Sequence, residues 1–404
     1  MHPLAALRLS FSLWQMTGKY MNDSKRINFL DALKAFIILF VVFYHVLMAY
    51  IIYPVVPMFI HDRFIHSIQS YSSVGEKLFF LALLLVINAP TMMSIMFFIA
   101  GYFALGPLIK KGPSQFLKDK FVRLGIPFVI GTAVLAPLAA FIAYLPRGPR
   151  MNYFAYWFLR FFRPNEFSQY HFWFLGMLLL FFLVLSLIFL IVRDRISSIK
   201  TKPGKPSLLF FMVFIAMTTG MYFVINLFYP AEAFTQWYVL QFQTVIFLIY
   251  AAYFVFGIYA YTRNWFIDGY KPKIILWTIA YAISICMYLF TILYMNTGSG
   301  RDTMVIKLLN DLSNNVSILS ALFMLLAIFQ KYLNSDAPVL LAIYRSSYST
   351  YLIHLLIVFI VIYVSRDIPL SLFPRFLTQI VIGVFLSWVI GYLLTKIPIV
   401  RRVL

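Results

Sequence analysis

Apolar residues run along this chain in blocks of about 17–25 positions, the length that carries a helix across the hydrocarbon core of a bilayer, and short polar stretches separate the blocks. They fall at 29–52, 77–104, 126–146, 171–192, 208–229, 241–262, 274–295, 308–330, 347–364 and 376–396. The pattern predicts an all-α polytopic membrane protein of about ten transmembrane helices. An even number of crossings puts both termini on one side. Asn88-Ala89-Pro90 interrupts the second block, and a proline there either kinks the helix or splits it. No internal repeat stands out at a fixed period.

Charge orients this bundle. If the N-terminus is cytoplasmic, 22 of the 33 Lys and Arg lie on the cytoplasmic side, ten on the other side, and Lys34 within a span. The excess of positive charge on inner loops places both termini in the cytoplasm, and the protein is expected in the cell (inner) membrane. Residues 1–25 read as a cytoplasmic N-terminal extension before a membrane domain over 26–404, with Met21 a second plausible start. Composition agrees: 63% of residues are apolar, 19% aromatic and 11% charged, against about 25% charged in soluble domains. The net charge of +20 does not indicate nucleic acid, because the basic residues sit in loops between spans. The lone Cys286 cannot form an intrachain disulfide.

The segment DALKAFIILFVVFYH, residues 31–45, carries Asp31, Lys34 and His45 inside an apolar run. Lys34 and His45 are eleven positions apart, so on a helix they share a face and stand about 16 Å apart along the axis. Asp31 lies one turn before Lys34 on nearly the same stripe. Asp31 and Lys34 are near enough to the inner end to reach the headgroups. His45 falls past the midplane and needs a partner or a water-filled cavity. An imidazole there can take a proton from a hydroxyl, carry an acyl group, relay protons in a pump, or simply pack.

Around His45 the run RINFLDALKAFIILFVVFYH resembles the opening of the acyltransferase-3 family of integral membrane acyltransferases. In that family a basic residue, ten intervening positions and a histidine occur on the first span. Further similar stretches follow in order: MFFIAGYF at 96–103, QFLKDKFVRLGIPF at 115–128, HFWFL at 171–175, WYVLQFQ at 237–243 and SSYSTYLIHLL at 346–356. The spacing is most similar to the periplasmic-glucan succinyltransferase branch.

The resemblance implies transfer of an acetyl or succinyl group from cytoplasmic acyl-CoA to a hydroxyl of a glycan or similar acceptor on the far side. His45 would be catalytic, and Asp31, beside Lys34 on the same polar stripe, is expected to act with it. Lys34 stands where the family usually has arginine, so it would hold a phosphate as a point charge without the bidentate fork. Ala100 replaces a serine frequent in the family. Lys118, Lys120 and Arg123 form a basic cluster expected to hold the CoA phosphates with Lys34, although such residues also obey the positive-inside rule.

His171 and Trp173, at the outer end of the fourth span, and Tyr351 and His354, in the ninth, are candidates for the acceptor or acyl site. Interfacial anchoring and helix packing are the competing readings. MNYFAYWFLRFFR, 151–163, reads as an interfacial amphipathic helix with Arg160 and Arg163, and FTQWYVLQFQ, 234–243, near Glu232, as an aromatic belt. No P-loop, dinucleotide fingerprint, HExxH or CxxC occurs. His61, Asp62 and His66 have poor spacing for a metal, so no metal is expected. The competing function is a proton-coupled transporter or flippase using the same polar face. Such proteins show carboxylates deep in several spans, whereas Asp31 reads as the only carboxylate close to a span interior.

Overall fold

The computed structural model describes residues 27–48, 89–146, 149–163, 167–197, 201–229, 233–237, 239–267, 270–296, 303–335 and 337–403. The expected N-terminal extension, His61, Asp62, His66, Glu232 and the first part of the second block lie outside the described residues.

The described chain is an all-α membrane protein with one small hairpin. Eight helices or helical stretches are long and apolar enough to cross a membrane, and two more apolar helices are shorter. Helix α1 is Asn28–Met48, α2 Ala89–Tyr102 and α3 Leu105–Lys120. A segment of alternating α and wider π turns follows, with α4 Ile126–Ile130 and α5 Ala136–Tyr144. Next come α6 Tyr153–Tyr156, α7 Trp173–Ile191, α8 Arg193–Ser197 and α9 Leu208–Phe228. Strands β1 Phe234–Trp237 and β2 Leu240–Gln243 precede α10 Phe247–Thr262. The chain ends with α11 Ile274–Asn296, α12 Met304–Tyr332, α13 Pro338–Ser365, α14 Leu372–Leu394 and the short α15 Pro398–Val403.

Side-chain contacts give the helix directions. Phe97 stacks on Tyr250 and Tyr102 meets Tyr261, so α2 and α10 run the same way. Ser284 faces Ser320 and Thr291 faces Asn310, so α11 and α12 run oppositely. These senses are the ones that strict alternation across a bilayer requires.

Glycines set the closest approach. A Cβ on Gly101 would lie 1.9 Å from the Phe254 carbonyl oxygen, and one on Gly257 would lie 1.9 Å from that of Phe98. Small residues let α2 and α10 meet backbone to backbone, which is how spans pack where no hydrophobic effect separates protein from lipid.

Two boundaries differ from the sequence reading. The sixth block, expected as a helix over 241–262, begins as β2; Phe234 pairs opposite Gln243 and Trp237 opposite Leu240. Apolar and polar residues alternate over Leu240–Gln243, which is a strand period, and Gln241 and Gln243 interrupt the apolar stripe a helix would need. The second difference is in α3, which bends at Gly112 (φ 74°) before Pro113, because only glycine adopts that backbone without strain and proline starts the next turn well.

The expected interfacial segment is helical over Tyr153–Phe161, capped by Asn152, whose side chain accepts from the Ala155 amide at 2.8 Å. Phe154, Phe158 and Leu159 point outward, while Arg160 lies over the Tyr144 ring.

Candidate active site

Three histidines far apart in sequence meet inside the bundle. His45 comes from α1, His354 from α13, and His171 from a single 3-10 turn, Tyr170–Phe172, that leads into α7. The His45 and His354 ring centroids are 4.9 Å apart, and those of His171 and His354 are 4.5 Å apart. His171 and His354 are buried.

Main-chain carbonyls assign the ring protons. His45 Nδ1 lies 2.7 Å from the Val41 oxygen, so Nδ1–H donates there and Nε2 carries the basic lone pair. The same Nδ1 is 3.4 Å from His354 Nε2, which accepts, while His354 Nδ1–H donates to the Tyr351 carbonyl at 2.6 Å. His171 Nε2–H donates to the Leu352 carbonyl at 3.3 Å. Its Nδ1 is buried without a hydrogen-bond partner among the described residues. Two imidazole lone pairs, on His45 Nε2 and His171 Nδ1, can therefore receive protons or hydrogen bonds from a hydroxyl.

The surroundings hold the rings in place. The Tyr351 hydroxyl donates to the His171 carbonyl, and its ring lies edge-on to both His171 and Phe174. Trp173 stacks on Tyr250 rather than on an imidazole.

Ahead of His171, Gln169 and Gln241 clasp each other: the Gln169 amide donates to Gln241 Oε1 at 3.0 Å and the Gln241 amide donates to Gln169 Oε1 at 3.3 Å. Gln241 Nε2 also donates to the Phe167 carbonyl at 3.0 Å. Between this clasp and His171, Tyr170 holds a left-handed backbone, φ 48°. For a tyrosine this conformation is strained and persists only where surrounding contacts enforce it. The hairpin thus aims His171 through the clasp.

The other end of α1 is cationic. Lys34 Nζ pairs with Asp31 Oδ1 at 2.6 Å and lies over the Phe103 ring at 5.3 Å. Asp31 is therefore not brought to His45; fourteen residues, about 21 Å of helix rise, separate them. Lys120 lies over Phe182 at 4.3 Å and within electrostatic range of Arg123, Lys111, Asp119 and Lys34. Lys34, Lys120 and Arg123 thus form one group, joined by Lys111, which pairs with Asp119 at 2.5 Å and was missed in the sequence. Lys118 is exposed on another side of α3.

Residues of α13 connect the two ends. Tyr344 lies within electrostatic range of Asp31. The Tyr348 hydroxyl donates to the Arg123 carbonyl at 2.5 Å, and the Tyr348 ring lies parallel to that of Tyr351. Tyr344, Tyr348, Tyr351 and His354 recur every three or four residues, so they line one face of α13 from the cations to the histidines.

Among the described residues no group of three or more His, Cys, Asp or Glu could hold a metal ion. A sequence model of a family described as an acyltransferase domain, Acyl_transf_3, matches residues 27–395. The chain belongs to the acyltransferase-3 family. It is an integral membrane O-acyltransferase, and the match covers both the cationic end and all three clustered histidines. No curated protein and no solved structure matches the chain.

One expectation needs correction. Asp31 is not the only carboxylate close to a span interior: Asp311 of α12 is 1% exposed. It lies four residues into the block at 308–330, close enough to its edge to pass for a headgroup residue, but α12 begins earlier, at Met304, and carries it inside.

Proposed function

We propose that this acyltransferase moves an acetyl or succinyl group from cytoplasmic acyl-CoA to a hydroxyl of a glycan or similar acceptor at the extracytoplasmic face of the inner membrane. The observation that carries the reading is the meeting of His45, His171 and His354, joined to a cationic end by one polar face of α13.

The CoA phosphates rest with Lys34, Lys120 and Arg123, with Lys111 and Lys118 adding positive charge around them. Asp31 serves here to position Lys34. The arm of the donor lies along the tyrosine face of α13 and brings its thioester to the histidines. His45 Nε2 takes the acceptor's hydroxyl proton as the oxygen attacks the thioester carbonyl. The carbon–sulfur bond breaks, and the departing thiolate takes that proton from the imidazolium. No proton is gained or lost overall. His171 Nδ1 accepts a hydrogen bond from the acceptor and fixes its approach, while His354 keeps the proton of His45 on Nδ1. Trp173 and Tyr351 wall the acceptor side.

One experiment tests this reading. Membranes are incubated with labelled acetyl-CoA or succinyl-CoA, and label on an extracytoplasmic glycan is measured for the unaltered protein and for His45→Ala. The enzyme reading expects label that disappears in the variant while the variant remains inserted and folded. Equal labelling by both proteins, or no labelling by either, would reject the mechanism.

A further inference from the structure

Helix α12 opens with MVIKLLNDLSNNVS, and Asp311 in that stretch is sealed from solvent. Among the described residues no cation compensates it. Lys307, one turn earlier, is exposed, and no ion pair reaches Asp311 among the described residues. Among the described elements, the helices packed most extensively against α12 are α11, α9, α1 and α2. Their cationic or basic side chains are Lys34, which is paired with Asp31, and His45, which sits in the histidine cluster; their other titratable groups are tyrosines and Cys286.

Amides meet the carboxylate instead. Asn310 Nδ2 donates to Asp311 Oδ1 at 3.4 Å, and Asn226 of α9 bonds to the same side chain from across the helix interface. Oδ2 has no partner. One turn further on, Asn315 is 2% exposed and donates its Nδ2 to the Asp311 main-chain carbonyl at 2.8 Å, which fixes how its amide points. Its Oδ1 also lacks a partner among the described residues. Four residues apart on one helix, these two oxygens share a face and can only accept.

A buried carboxylate without a counter-charge is costly inside a bilayer. A sugar hydroxyl would fill a lone pair and leave the charge in place. A small hard cation both neutralises the carboxylate and uses the oxygen donors that such ions prefer. We propose that Asp311 and Asn315, with Asn226 opposite, bind one sodium ion between α9 and α12. The ion ties together two helices that lie outside the histidine cluster, and the proposal is independent of how acyl transfer proceeds.

The test is thermal unfolding of the purified full-length protein in detergent, followed by tryptophan fluorescence, with sodium chloride exchanged for choline chloride at constant ionic strength. Binding to the folded state alone raises Tm as sodium rises. The expected result is a sodium-dependent rise of several degrees that is absent in Asp311→Asn, which keeps the shape and removes the charge, and weakened in Asn315→Leu. Binding of radioactive sodium to the same preparations gives a second readout if one variant does not fold. A Tm that follows pH and ignores sodium would mean that a proton neutralises Asp311, and would overturn the proposal. Sodium dependence that survives in both variants would overturn it as well.

Discussion

Replacing Gly257 by alanine tests the packing that frames the histidines. An added Cβ would stand 1.9 Å from the Phe98 carbonyl oxygen and 2.7 Å from the Tyr102 amide nitrogen, both backbone atoms that cannot swing aside. Ordinary contact begins at 3.4 Å, so α2 and α10 must part by about 1.5 Å. Overpacking of this kind costs about 1–3 kcal/mol. The displacement also disturbs the stack of Phe97 on Tyr250, and Tyr250 carries Trp173, two residues from His171. Gly101→Ala meets the Phe254 carbonyl in the same way. Once one substitution has parted the helices the second adds little, so the double variant should lose clearly less than the sum of the singles. Thermal unfolding in detergent measures all three, with acyl transfer followed in parallel. Either single variant unfolding at the unaltered temperature, or strict additivity in the pair, would refute the backbone-contact account.

Further predictions concern the two ends of the site. Lys34→Ala should raise the acyl-CoA concentration needed for half-maximal transfer by about tenfold, the effect of losing one charge-assisted contact worth 1.4 kcal/mol, whereas Lys34→Arg should be tolerated; an unchanged CoA dependence in the alanine variant would remove Lys34 from the phosphate site. Gln241→Leu leaves the Gln169 amide and the Phe167 carbonyl without their partners, at about 1–3 kcal/mol each. That variant should also relax Tyr170 and lower kcat more than it changes KM for acyl-CoA. A variant with lower Tm and unaltered kcat would limit the clasp to a structural role.

The membrane class and most of the helices were legible because a bilayer imposes a length on apolar blocks that few other constraints mimic. The polar stripe of α1 was legible for a related reason: ionisable groups in such a block must be accounted for. That His45, His171 and His354 meet was not readable, since their encounter depends on how α1, α7 and α13 pack across more than three hundred residues of chain. The pairing of Asp31 with Lys34 could have been read from their spacing of three, which suits an ion pair on a helix. The hairpin was hidden because Phe234, Trp237, Leu240 and Phe242 look like an aromatic belt beside an apolar block, and alternation is confined to the four residues Leu240–Gln243. Lys111 was passed over since it lies before a bend at Gly112 that brings it back to Asp119.

Sidedness tests the central claim most directly. The protein is reconstituted in one orientation in sealed vesicles, labelled acyl-CoA is supplied only to the face that carries Lys34, and the acceptor glycan is enclosed with the opposite face. The account predicts labelled ester on the enclosed glycan and free CoA thiol on the face where the donor was added, with both lost in His45→Gln. Labelling that proceeds equally when donor and acceptor share one face, or that survives loss of the imidazole, would contradict it.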